Sequence, residues 1–245
     1  MSEFPPPLPE AIERFHAAAR EIRAAAAARS PSGDDALKVE QLIEALGQFF
    51  AILENLDQAP VPAGSVAETD ASELGEYGLT LLTDLIARAG ALDLAAARAG
   101  LEQVSLSIAD WIMRRQGEIR ALEPVVNGLA GLANDLRAPR ALEALAGFMG
   151  RVIGAVSEIV RQDLESSSPG RPWRVLHLNL GIVATRSHNP ALMEQVFDEL
   201  VRCLPSDAAR FFAEGMEQME ALDYPPPVRR VMARYFERWT RPTMH

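Results

Sequence analysis

Cysteine and lysine each occur once in the 245 residues, and both scarcities narrow the possibilities. A lone Cys203 cannot form an internal disulfide, so any stable fold must come from a packed core, as suits a reducing cytoplasm. With Lys38 the only lysine, the positive charge is carried by arginine, whose planar fork favours bidentate contacts. A coding sequence rich in G and C gives the same bias. The four histidines, His16, His177, His188 and His245, show no HExxH spacing and have no cysteine pair near them. ExxH does not recur on paired helical patterns as a di-iron bundle requires, so no metal is expected. GxSxG, GxGxxG and P-loop patterns are missing as well, and no cofactor is expected.

Long apolar runs are also lacking. The nearest approach, residues 121–134, contains Glu123, Asn127 and Asn134, whereas a spanning helix needs about 20 mostly apolar residues. The opening MSEFPPPLPEAIERF carries glutamates and four prolines where a secretory signal needs a basic segment and then an apolar one. These features predict a cytoplasmic chain with no membrane association. The net charge of −10 and pI near 5.0 disfavour nonspecific nucleic-acid binding, so no nucleic-acid partner is expected.

What the chain does contain is amphipathic helical periodicity with no clear strand alternation. Residues 5–9 (PPPLP) form a stiff start to a helix at 10–29, with Ile12, Phe15, Ala19 and Ile22 on one side. Its second half is nearly all alanine, strong in helix propensity and thin in core volume. Residues 1–35 read as an arm or docked helix, and 36–245 as a single helical domain. The pattern at 38–57 sets Val39, Leu42, Ile43, Leu46, Phe49, Phe50, Leu53 and Leu56 at helical spacing. A surface connection at 58–73 precedes helices predicted at 74–89, 91–115, 117–136, 140–164, 172–187, 190–203, 206–221 and 225–239. Glycines and prolines mark the breaks, at 30–33, Gly90, Gln116-Gly117, Pro139, 166–172, Pro190, Pro205 and 225–227. Pro124 falls inside the 117–136 pattern, where it either occupies the first turn or moves the helix start. The expected fold is all-α, built of antiparallel helix pairs in an α–α repeat-like superhelical array. An irregular single-core helical domain is the alternative.

The repeat expectation rests on a short internal similarity. LAGLANDLRAPRALE (129–143) resembles LGIVATRSHNPALME (180–194) at an offset of 51, aligning Ala133 with Ala184, Pro139 with Pro190 and Glu143 with Glu194. Each segment ends one helix, turns at a proline and begins another. In the second, Trp173, Leu176, Leu180 and Val183 form an apolar stripe with His177 beside it. Gly181 permits a close approach, and Thr185, Arg186, Ser187, His188 and Asn189 crowd the helix end. Asn179 and Arg186 are seven residues apart, as are Asn127 and Asn134. With a one-residue slip these pairs correspond, and in an array such positions line one concave surface.

Two uses fit the cluster. Helix termination explains basic and imidazole groups at a C-terminus and Asn189 before Pro190. Recognition explains the same residues as an arginine fork for a carboxylate or phosphate, with amides that donate to and accept from peptide backbone. The functional expectation is a protein-binding scaffold, adaptor or assembly factor that takes a protein or peptide segment at Asn127, Asn134, Asn179, Arg186, Ser187 and His188. An alternative is an enzyme acting on a small anion between helices, with His177 or His188 moving a proton. A structural homodimer built on the C-terminal helix is a third. In that helix Val231, Tyr235, Phe236 and Trp239 form an apolar surface that closes the helix against the domain and, where exposed, suits a dimer contact. Arg230, Arg234, Arg238 and Arg241 form a broad basic face expected to pair within the chain or between subunits, with Glu214, Glu217, Glu220 and Asp223 as one set of partners. Cys203, among Leu200, Val201 and Leu204, reads as packing and not as a nucleophile.

Overall fold

A computed structural model describes residues 5–29, 34–58, 68–162 and 168–240. Within these the chain is all-α: α1 (Leu8–Arg29), α2 (Asp34–Gln58), α3 (Glu68–Ala91), α4 (Ala95–Arg114), α5 (Glu123–Asp135), α6 (Pro139–Ala155), α7 (Glu158–Arg161), α8 (Pro172–Arg186), α9 (Pro190–Cys203), α10 (Pro205–Ala221) and α11 (Pro226–Thr240). The expected break at 30–33, residues 59–67 of the expected connection, the start of the 166–172 break, Arg241 and His245 lie outside the described residues. The chain divides into two compact units, Met1–Leu132 with Arg151–Gln162, and Ala133–Gly150 with Asp163–His245.

In the first unit α1 touches α2, α2 touches α3, α3 touches α4, and α4 closes on α1. The contacts make a ring around one core and do not establish a stacked superhelical order. Phe15, Phe49, Phe50 and Trp111 fill that core with Ile22, Leu46, Leu53 and Leu79, all fully buried. The alanine-rich half of α1 has a packing role. Ala18, Ala19 and Ala26 are buried, and their small side chains let α1 lie close to α4. The proline start is held too, because the Ser107 hydroxyl donates to the Pro6 carbonyl at 2.7 Å. Glycines on α3 serve the same close packing: a methyl at Gly78 would overlap the Phe49 ring, and one at Gly75 would overlap Ile112.

Two predicted helices are interrupted where their periodicity continues. Residues 117–122 precede α5, which starts at Glu123, and Pro124 takes the first turn, where its missing N–H costs little. Ile119 instead forms an isolated parallel bridge with Val156. The Ile119 N–H donates to the Ala155 carbonyl at 2.8 Å, and the Ser157 N–H donates to the Ile119 carbonyl at 3.0 Å. The Glu118 N–H donates to the Ser72 hydroxyl at 2.8 Å. That pairing ends α6 at Ala155 and leaves α7 as one short turn, where a helix over 140–164 was expected. Ile119 and Val156 are fully buried apolar residues that suit either conformation locally, so the choice is made by tertiary pairing. Gln116 supplies the left-handed turn after α4, with φ of 58°.

In the second unit α9 is central, with α8, α10 and α11 against it. Phe197 of α9 stacks edge-on with Phe211 and Phe212 of α10 and with Tyr235 of α11, at centroid separations of 5.1 to 5.8 Å. The prolines stand at helix starts, as expected. Asn189 caps α9 by accepting from the Leu192 N–H at 3.2 Å. Half-buried Arg174 and Asp207 join α8 to α10, with both the Nε and Nη2 of Arg174 on the same Asp207 oxygen at 2.9 and 2.6 Å.

Candidate functional site

The two similar segments meet in the second unit. Arg186, the last residue of α8, reaches the carbonyls that α5 leaves exposed at its end. Its Nη1 donates to Ala133 and its Nη2 to Leu136, each at 2.7 Å. Those carbonyls have no intrahelical partner and carry the negative end of the helix dipole, so a cation is well placed there. Arg137 folds back on the same end and donates to the carbonyls of Asn134 and Leu136. One turn later, the Asn189 amide donates to Glu143 at 2.8 Å. Asn189 stands just before Pro190, and Glu143 is the fourth residue after Pro139. The helix–turn–proline corners matched at an offset of 51 are thus clasped to each other.

Between these corners and the end of α10 lies a notch of about 250 Å³, lined by Arg137, Leu142, Arg186, His188, Leu222 and Tyr224, with Asp223 at its edge. His188 follows α8 with φ of 58°, the left-handed conformation that glycine usually supplies at this position. The turn is fixed by Ser187, whose hydroxyl donates to the Ala184 carbonyl at 2.7 Å and accepts from the Asn189 N–H at 3.3 Å. His188 stays exposed, its ring edge-on to Tyr224 at 5.5 Å. Burial raises the Tyr224 phenol above its ordinary value, and the positive charge of Arg186 opposes that rise. Arg229 closes the end of α10 by donating to the Leu222 and Tyr224 carbonyls, which fixes the far rim.

Each guanidinium has five N–H donors, and Arg186 spends two on carbonyls. The notch therefore offers unspent guanidinium donors, an imidazole and a phenol above an apolar base of Leu142 and Leu222. In chemistry such a surface matches an anion flanked by something apolar. His188 and Asp223 are both exposed here.

Of the six residues expected to bind, Arg186 and His188 line this notch. Ser187 is buried and its hydroxyl is committed to the turn, so helix termination describes it. Asn134 is exposed on α5, and Asn179 is half-buried on α8. Asn127 belongs to the first unit, where it lines a different hollow of about 260 Å³ with Thr83, Arg98, Glu123 and Pro124. Sequence reasoning passed over Arg137, Leu142, Leu222 and Tyr224. A signal for one of them was available: Arg137 is the counterpart of His188 at the 51-residue offset.

His177 is fully buried, edge-on to Trp173 at 4.4 Å, beside the apolar stripe as its spacing suggests. The Cys203 thiol lies 3.3 Å from Glu199 and is pushed up to about 11, by burial first and then by that carboxylate, which disfavours the thiolate. In the C-terminal helix Tyr235 closes the helix against its neighbours, one of the two uses expected of the apolar surface: its ring joins the Phe197 cluster, and its hydroxyl donates to Asp198 at 2.6 Å. Arg234 pairs at 2.7 Å with Glu194 of α9, not with the acidic residues of α10, because α11 packs on both helices. Among the described residues, no group of three or more His, Cys, Asp or Glu side chains is placed to hold a metal ion. No described helix is long and apolar enough to cross a membrane. Searches against protein-family models, curated proteins and solved structures return no match to this chain.

Proposed function

We propose that the chain is a cytoplasmic helical scaffold whose second unit binds a carboxylate-bearing protein segment at the notch between Arg137, Arg186, His188 and Tyr224. The observation that carries this reading is the convergence of two arginines, an imidazole and a phenol on one notch. His188 is held there in the left-handed region, which costs a non-glycine residue about 1–2 kcal/mol, as it does Gln116 after α4. Here the strained residue presents an imidazole to a rim that already holds two guanidiniums, in a chain of net charge −10. A basic spot on an acidic surface selects by position and not by bulk charge.

The test is His188→Gly. Relief of the left-handed strain is expected to raise stability by about 1 kcal/mol, measured by denaturant unfolding. Retention of carboxylate-bearing peptides from an immobilised array is expected to fall at the same time. Arg137→Gln, exposed and outside the core, is expected to weaken peptide retention with little change in stability. Unchanged array patterns for both variants would refute the binding role and leave the corner as a helix stop.

A further inference from the structure

We infer that the segment held at this notch is the C-terminal residue of a partner protein, with its free carboxylate on the guanidiniums and an apolar side chain on the leucines. The inference rests on the binding reading above and narrows it to one kind of ligand end. Three observations support it.

The first is size. At about 250 Å³ the notch falls just below the roughly 300–1,000 Å³ usual for ligand pockets. That is room for about one residue and not for a run of them. The second is the pairing of chemistries. Arg186 is held rigid by its two carbonyl bonds, so its remaining N–H groups present a fixed fork to a planar carboxylate. Exposed Leu222 and buried Leu142 line the same notch and suit an aliphatic side chain. A chain terminus carries its carboxylate on the same Cα as its side chain, so the two groups are close together, as they are in the notch. An internal Asp or Glu carries its carboxylate out on the side chain and needs a neighbouring residue to supply the apolar group. The third is Asp223. Exposed at the rim and 3.7 Å from Arg229, its carboxylate disfavours a segment with several acidic groups, whereas a single terminal carboxylate can be seated on the arginines away from it.

The experiment uses the full chain immobilised and three pools of hexapeptides, each with its last three positions randomised. One pool ends in a free carboxyl, one is the same sequences amidated, and one is amidated with an Asp or Glu fixed at the third position. The free-carboxyl pool is expected to be retained and enriched in Leu, Ile, Val, Met or Phe at the last position. Amidation is expected to weaken binding at least about tenfold, as expected for loss of a charge-assisted hydrogen bond. Arg137→Gln and Arg186→Lys, checked for unchanged helical content, are expected to reduce that preference for the free carboxyl. Equal retention of the amidated acidic pool would overturn the terminal assignment and leave the binding module standing. Failure to retain any pool would overturn both. N-acetyl-leucine, which keeps the terminal carboxylate and side chain of a single residue, is expected to compete with the free-carboxyl pool, and failure to compete would also overturn the assignment.

Discussion

Gly128→Ala and Gly131→Ala add the same methyl group three residues apart in α5, and they are expected to change stability in opposite directions. Both substitutions gain about 1 kcal/mol of helix propensity. At Gly131, which is exposed with nothing within 4 Å of the added carbon, that gain stands alone. At Gly128 the methyl would overlap the carbonyl oxygen of Glu102 on α4 and come within 3.0 Å of its carbon, inside the roughly 3.5–4.0 Å of normal carbon contact. The obstacle is backbone and does not rotate away. The Ser105 hydroxyl lies 2.6 Å from the same carbonyl and 2.9 Å from the Pro124 carbonyl, so its one proton is shared across the crossing. Overpacking costs about 1–3 kcal/mol, and a backbone-to-backbone case belongs at the upper end. The net expectation for Gly128→Ala is a loss of about 2 kcal/mol, with the two variants separated by about 3 kcal/mol. For a chain of this size that is a melting temperature lower by about 4–8 °C for Gly128→Ala and higher by about 2–4 °C for Gly131→Ala. Differential scanning calorimetry resolves both. A Gly128→Ala protein as stable as the wild type would refute the close α4–α5 crossing.

Stability is also expected to fall at alkaline pH. Cys203 and Tyr235 have folded values raised by burial to about 11 and about 12, against ordinary values of 9.0 and 10.0. The folded state favours their neutral forms, so this stability is complete below about pH 9. It is lost from pH 9 to 11 for Cys203 and from pH 10 to 12 for Tyr235. Denaturant midpoints measured from pH 8 to 11 should fall less steeply for Cys203→Ala than for the wild type; parallel curves would argue against a buried thiol. Asp207→Asn removes the carboxylate that receives both Arg174 donors and is expected to cost about 1.5–3 kcal/mol, seen as a lower urea midpoint at constant slope. A change below about 0.5 kcal/mol would place that pair among ordinary surface ion pairs.

Much of the fold was legible in the sequence because helix periodicity and proline punctuation are local signals. The apolar spacing of α2 located Val39, Ile43, Leu46, Phe49, Phe50 and Leu53, all of which are buried. Pro139, Pro172, Pro190, Pro205 and Pro226 open helices, because proline at a helix start gives up a donor that has no intrahelical partner anyway. Ser187 and Asn189 terminate and cap as their residue types suggest. The 51-residue similarity pointed to the two corners that become the notch, though the seven-residue Asn and Arg spacing drawn from it did not. Periodicity says which face of a helix a residue occupies and is silent on which distant backbone lies opposite that face.

Only the tertiary structure decided the rest. Residues 117–122 carry helical periodicity yet form no helix, since Ile119 finds its hydrogen bonds on the backbone around Val156, far along the chain. Tyr235 could have closed the helix or met a second subunit, and Phe197 and Phe212 enclose it; Arg234 found its carboxylate on α9. Arg186 became a clasp because α5 ends beneath it with two carbonyls unpaired, and Tyr224 entered the notch because α10 ends beside His188. The sequence by itself determined the class of the fold and most helix boundaries, since both follow from interactions within about a turn of helix. Partners far apart in sequence depend on chain paths, and those are chosen by the whole core at once.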